Sequence, residues 1–86
     1  MKITNKIISE IGFKNNDDNV FHLDISDEIS MTIIKDKFEK YWLYFNRCHP
    51  GFPIVNVKEI FIHLMQHCLM VGSEIKTDEI KKVLSL

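Results

Sequence analysis

Excess positive charge, long apolar runs, paired cysteines and glycine-rich loops are all missing from this 86-residue chain, and each absence closes off a class of function. Eleven lysines and arginines stand against twelve acidic residues, for a net charge of −1. They are scattered rather than gathered in a stripe, so the chain has little with which to track a phosphate backbone, and nucleic acid is demoted as a partner. The most apolar segment, "IFIHLMQHCLMV", is interrupted by His63, Gln66 and His67, and "MKITNKIISEIGF" holds no signal-peptide core. The expectation is a cytoplasmic chain with no membrane span. The two cysteines, Cys48 and Cys68, are twenty positions apart with no Cys-x-x-Cys pair. That pattern fits reduced thiols better than a disulfide framework, with a single Cys48–Cys68 bridge as the alternative. Only three glycines are present, at 12, 51 and 72, too dispersed to cradle a phosphate.

Catalysis finds no foothold either. Cys48 and His49 are adjacent, but neighbouring side chains point apart and no third group orients the pair. Asp17–Asp18 and Asp27–Glu28 fall in turn-like stretches where carboxylates serve loop geometry and solubility. The chain is therefore expected to be non-enzymatic and without a cofactor.

What is there is a core-forming composition, 45% hydrophobic with 27% charged residues, at a length suited to one domain spanning residues 1–86. Thr4 is a good N-cap, Ile7, Ile8 and Ile11 share a helical face, and Gly12-Phe13 suits a left-handed helix ending, which predicts a short helix over 4–11. "KNNDDN" at 14–19 reads as a loop. The period then falls to two, with Phe21, Leu23 and Ile25 in one strand and Ile29, Met31 and Ile33 in the next, turned by "SDE" at 26–28. A third strand is expected over about 38–46, rich in aromatics, after a break at "KDK". "RCHPGFP" at 47–53 holds both prolines and reads as a connection that ends the sheet. Asn56 with Glu59 opens a main helix from Val57 to about Val71, stopped by Gly72, and Thr77 caps a last short helix. The predicted fold is α+β, a three-stranded antiparallel meander with helices on one face, in the order α-β-β-β-α-α.

Such a sheet has a second face. With Phe21, Ile33 and Leu43 and their alternates in the core, the open face receives Val20, His22, Asp24, Ser30, Thr32, Ile34, Lys40, Trp42 and Tyr44. Most of these are polar, as a solvated face requires; Trp42 and Tyr44 are not. A close Trp–Tyr pair supplies large, rigid contact area at small entropic cost, the property of an interface residue. Partner binding is accordingly assigned to Trp42, Tyr44, His22 and Lys40. The competing account has Trp42 folded over the sheet edge, under the "CHPGFP" segment or the last helix.

His63 and His67 are four apart on the main helix, the spacing that lets two imidazoles meet, yet neither a paired cysteine knuckle nor an H-E-x-x-H arrangement accompanies them. The reading is rim histidines and a buried Cys68 rather than a metal shell. Ile62, Leu69 and Met70 leave the back of that helix apolar, to be covered by the last helix or by a second copy of the chain, so monomer and homodimer both stand.

The short N-terminal helix ending Ile11-Gly12-Phe13, the strand region with its tryptophan, and the late helix closing on Gly72-Ser73-Glu74-Ile75 resemble small uncharacterised phage and mobile-element proteins of gut Bacteroidetes. The late helix departs from that pattern, lacking its His-Glu-Leu-Gln. The resemblance implies a mobile-element origin and transfers no activity or site residues. Two functions follow as expectations: a protein-interaction module acting on a host or defence protein through the aromatic face, or a single-stranded nucleic-acid binder stacking bases on Trp42 and Tyr44 with Lys35, Lys37, Lys40 and Arg47 on phosphates.

Overall fold

The computed structural model describes residues 2–46 and 48–70, without the side chains of His49, Cys68, Leu69 and Met70. Arg47, the stop at Gly72 and the helix expected from Thr77 lie outside the described residues. The order of elements is α1 (Asn5–Glu10), β1 (Lys14–Asp17), β2 (Val20–Asp24), β3 (Ser30–Lys35), β4 (Tyr41–Phe45), β5 (Cys48–Ile54) and α2 (Val57–Met70). All five strands join one antiparallel sheet in sequence order, so the α+β meander holds but has five strands rather than three.

The first helix follows its local signals closely. Thr4 Oγ1 accepts the Ile7 N–H at 3.2 Å, satisfying one of the amides that a helix start leaves unpaired. At the other end Gly12 takes φ 117°, and the Gly12 and Phe13 N–H groups donate to the Ser9 and Ile8 carbonyls at 3.2 Å each. Those two bonds define a Schellman ending, and the accompanying apolar contact is supplied by Phe13 and Ile8, both buried.

Two expectations are corrected at the sheet edges. The stretch 14–19, expected as a loop, forms β1 and a tight turn: Lys14 pairs with His22 and Asn15 with Phe21, with an irregularity before Asp17 pairs with Val20. Every residue of β1 is exposed, so it carries no apolar alternation to betray it. The 47–53 stretch, expected to end the sheet, instead contributes β5, paired with β4 through Tyr41↔Ile54, Trp42↔Pro53, Leu43↔Phe52 and Phe45↔Cys48. Its prolines are tolerable because β5 is an edge strand whose ladder with β4 is irregular. The third predicted strand also starts later than expected, at Tyr41, because residues 36–40 form the turn from β3.

A single apolar core joins the helices to one face of the sheet. Phe21, Ile33 and Leu43 sit side by side across β2, β3 and β4, each fully buried, together with Ile8 of α1 and Ile60 and Leu64 of α2. Burying a side chain of this size stabilises by about 1.5–3 kcal/mol apiece, so this row supplies the main driving force. Helix α2 lies against β4 and β5. His67 stacks on Phe45 at 4.3 Å and 5°, and His63 stacks on Phe52 at 4.7 Å and 25°. The expected Asn56–Glu59 cap is half realised: Glu59 Oε1 accepts the Val55 and Asn56 N–H groups at 3.2 and 3.3 Å, while the buried Asn56 Oδ1 has no hydrogen-bond partner among the described residues.

Candidate functional site

The register of the sheet settles which side chains share the face opposite the core. Val20 pairs with Ile34, Ile34 with Trp42 and Trp42 with Pro53, which makes one apolar row across four strands. The next row runs Lys14, His22, Thr32 and Tyr44. The row Phe21–Ile33–Leu43–Phe52 alternates with both and points to α2, so neither Trp42 nor Tyr44 lies beneath the helices. Both are half-buried.

Trp42 is held by the turn that precedes it. Asp36 Oδ1 accepts the Phe38 and Lys40 N–H groups at 2.8 and 2.9 Å, and its Oδ2 accepts the indole Nε1–H at 3.0 Å. The turn itself closes with Glu39 N–H on the Asp36 carbonyl and Asp36 N–H on the Lys40 carbonyl, and Glu39 occupies the left-handed region at φ 63°. With the indole N–H, the two turn amides and the charge of Lys40 all favouring its ionised form, Asp36 is held below the usual aspartate range. The Lys40 Nζ lies 5.0 Å from the centroid of the Trp42 ring, a cation–π distance that covers part of the indole.

Tyr44 depends on Gly51. A Cβ built at Gly51 would fall 2.6 Å from two atoms of the tyrosine ring, so the ring lies flat over the bare backbone of β5. The missing Cβ leaves room for this close approach, and the glycine serves packing rather than a turn.

His22 occupies the middle of the polar row, 3.2 Å by Nδ1 from Thr32 Oγ1 and 2.9 Å by Nε2 from Asp24 Oδ1. The matching tautomer donates Nε2–H to the carboxylate and accepts the threonine hydroxyl on Nδ1. This carboxylate–imidazole–hydroxyl line has the connectivity of a catalytic triad, but Thr32 is only 7% exposed, too little for attack on a substrate. It satisfies a buried hydroxyl in the sheet.

Of the four residues assigned to partner binding, Trp42, Tyr44 and His22 stand on one face and Lys40 adjoins it from the turn. Asp36 and Gly51 escaped sequence reasoning as parts of the site, whereas Asp24 and Thr32 were placed on its face without a role. Asp36 carried a faint signal, since an aspartate two residues before an amide it can cap is an Asx-turn pattern. His63 and His67 stack on different phenylalanines, and no group of three or more His, Cys, Asp or Glu side chains converges among the described residues. Cys48 is exposed, its free thiol donating to the Asn46 carbonyl at 3.4 Å. Among the described residues no helix is long and apolar enough to cross a membrane. Comparison with protein-family models, with curated proteins and with solved structures finds no match to this chain.

Proposed function

We propose that this chain is a small, non-catalytic, cytoplasmic interaction module that docks a host or phage protein on the open sheet face, through Trp42 and Tyr44 flanked by His22 and Lys40. The observation that carries the reading is the apolar row Val20–Ile34–Trp42–Pro53 on the side of the sheet away from α2. It presents an apolar strip built from four strands, which suits an apolar patch on a folded protein. Supporting it, the Asp36 clasp fixes the indole before any partner arrives, so little side-chain entropy remains to be lost on docking.

The same geometry weighs against base stacking. Lys40 lies over the Trp42 ring, and Tyr44 lies against Gly51, so neither ring stands out as a platform with two open faces.

Affinity capture from host lysate with the wild-type chain and with Trp42→Ala, run beside thermal unfolding of both, tests the proposal. The expected result is one protein retained by the wild type and lost with the variant, whose unfolding midpoint falls by only about 4–8 °C so that it is still folded during capture. Identical capture by both would overturn it. Quenching of Trp42 fluorescence by single-stranded DNA or RNA at low salt would favour the nucleic-acid reading instead.

A further inference from the structure

A second surface lies around the tip of the β3–β4 hairpin, where three segments meet at an open cleft of about 200 Å³. Its floor is apolar: Ile3 and Ile54 are buried, and Tyr41 reaches past them to donate its hydroxyl to Asn5 Oδ1 at 2.6 Å. Its walls are Phe38, 77% exposed, and Val55, 61% exposed, two of the four large hydrophobic side chains left in solvent among the described residues. Neither wall is loose. Phe38 sits in the turn clasped by Asp36, and the Val55 carbonyl accepts the Ile3 N–H at 2.9 Å while Lys2 bridges Asn56. Holding a phenylalanine in water on a fixed turn is a cost with no folding return, since Phe38 adds nothing to the core.

Size and charge narrow what fits. The cleft is smaller than the roughly 300–1,000 Å³ of small-molecule sites, so it suits a single side chain. Lys2 and Lys40 line it, Lys37 Nζ stands 5.1 Å from the Phe38 ring, and Lys35 is close behind. Among the described residues these four lysines stand against three carboxylates: Asp36, Glu39, which lines the cleft 3.9 Å from Lys35, and Glu59, which accepts the Val55 N–H at 3.2 Å. A chain of net charge −1 thus carries a locally positive corner beside an apolar cleft.

We infer that this cleft docks an acidic peptide segment, seating one large apolar side chain between Phe38 and Val55 with flanking carboxylates on Lys2 and Lys37. It is separate from the docking face proposed above, because Tyr41 and Ile54 belong to the core-side row while Trp42 and Pro53 point the other way.

The test is a titration of the isotope-labelled full chain, followed by amide NMR shifts, with three synthetic peptides of equal length and a single-stranded DNA oligomer. One peptide sets a Leu-Phe pair among Asp and Glu, the second replaces the pair by alanines, and the third replaces the acidic residues by lysines. The acidic apolar peptide should shift the amides of Ile3, Phe38, Lys40 and Val55 saturably. The alanine and lysine versions should each bind at least about tenfold more weakly, the scale of one lost apolar side chain in a pocket. Phe38→Ser should abolish the shifts without unfolding the chain, since the ring is exposed, and Trp42→Ala should leave them intact. No saturable shift at the cleft, equal binding by the alanine or lysine peptide, or stronger binding there by the oligomer would each overturn the inference. Loss of the shifts in a folded Trp42→Ala chain would overturn the separateness of the two surfaces.

Discussion

The two faces of strand β4 make the most instructive comparison in the molecule. Leu43 and Trp42 are neighbours in sequence, yet Leu43 is fully buried on the core side of the sheet while Trp42 lies on the far side, half-buried and tied to its own turn. The larger and more apolar-rich residue is the one left out. Hydrophobicity alone does not decide burial here; the pleat does, because the strand's register is fixed by Phe21 and Ile33 alongside Leu43. A tryptophan placed on the wrong side for folding, and then fastened by Asp36, points to a use other than folding.

The comparison can be broken most severely at Leu43. Leu43→Ala should cost about 3 kcal/mol by urea denaturation, the usual loss for a fully enclosed leucine, and a cost below about 1 kcal/mol would mean the core is not where it is drawn here. Next comes Gly51→Ala. The new Cβ displaces the Tyr44 ring, an overpacking expected to cost about 1 kcal/mol, and that penalty should vanish in the background of Tyr44→Ala, since the two residues share one contact. Trp42→Ala should cost less than Leu43→Ala by a wide margin, about 1 kcal/mol, the worth of one hydrogen bond and partial burial. Equal losses at 42 and 43 would erase the distinction between the faces.

The smallest effect is on pH. Because the folded state depresses the Asp36 pKa, through the Trp42 indole first and the Lys40 amide next, the clasp stabilises the fold at pH values above the ordinary aspartate pKa, about 3.9. That contribution is lost as the pH falls through the lower folded value. Acidification through that depressed folded value should therefore release the indole, read as a change in Trp42 emission before global unfolding, and Asp36→Ala should show the released spectrum at neutral pH. An emission spectrum indifferent to both changes would remove Asp36 from the account.

The sheet's centre was legible in the sequence and its edges were not, for physical reasons that differ at the two sides. Strands β2, β3 and β4 each bury one face, so a period of two is written into Phe21–Leu23, Met31–Ile33 and Leu43–Phe45. Strand β1 buries nothing, and its residues Lys14–Asp17 look like any polar loop. Strand β5 does alternate, with Phe52 against His63 and Ile54 in the core, but Pro50, Gly51 and Pro53 interrupt the pattern with turn signals. Those same features blunt both edges against pairing with another chain: β1 is short, polar and irregular, and β5 lacks donors at its prolines. A partner is thereby directed to the face or the hairpin tip. Of the site, alternation alone placed Trp42, Tyr44 and His22 together. What it could not supply was the tertiary detail, the Asp36 clasp and the Tyr44–Gly51 contact, because each depends on a turn or a neighbouring strand that sequence reasoning had drawn differently.

The most direct check on the central claim exploits the fact that Trp42 is the only tryptophan in the chain. Acrylamide quenching of the native protein at neutral pH reads the accessibility of that single ring. An indole on the open face predicts a steep quenching response from the folded chain, reduced only in part relative to the urea-unfolded one. A nearly flat response, returning only on unfolding, would place the ring inside the protein and contradict the docking face.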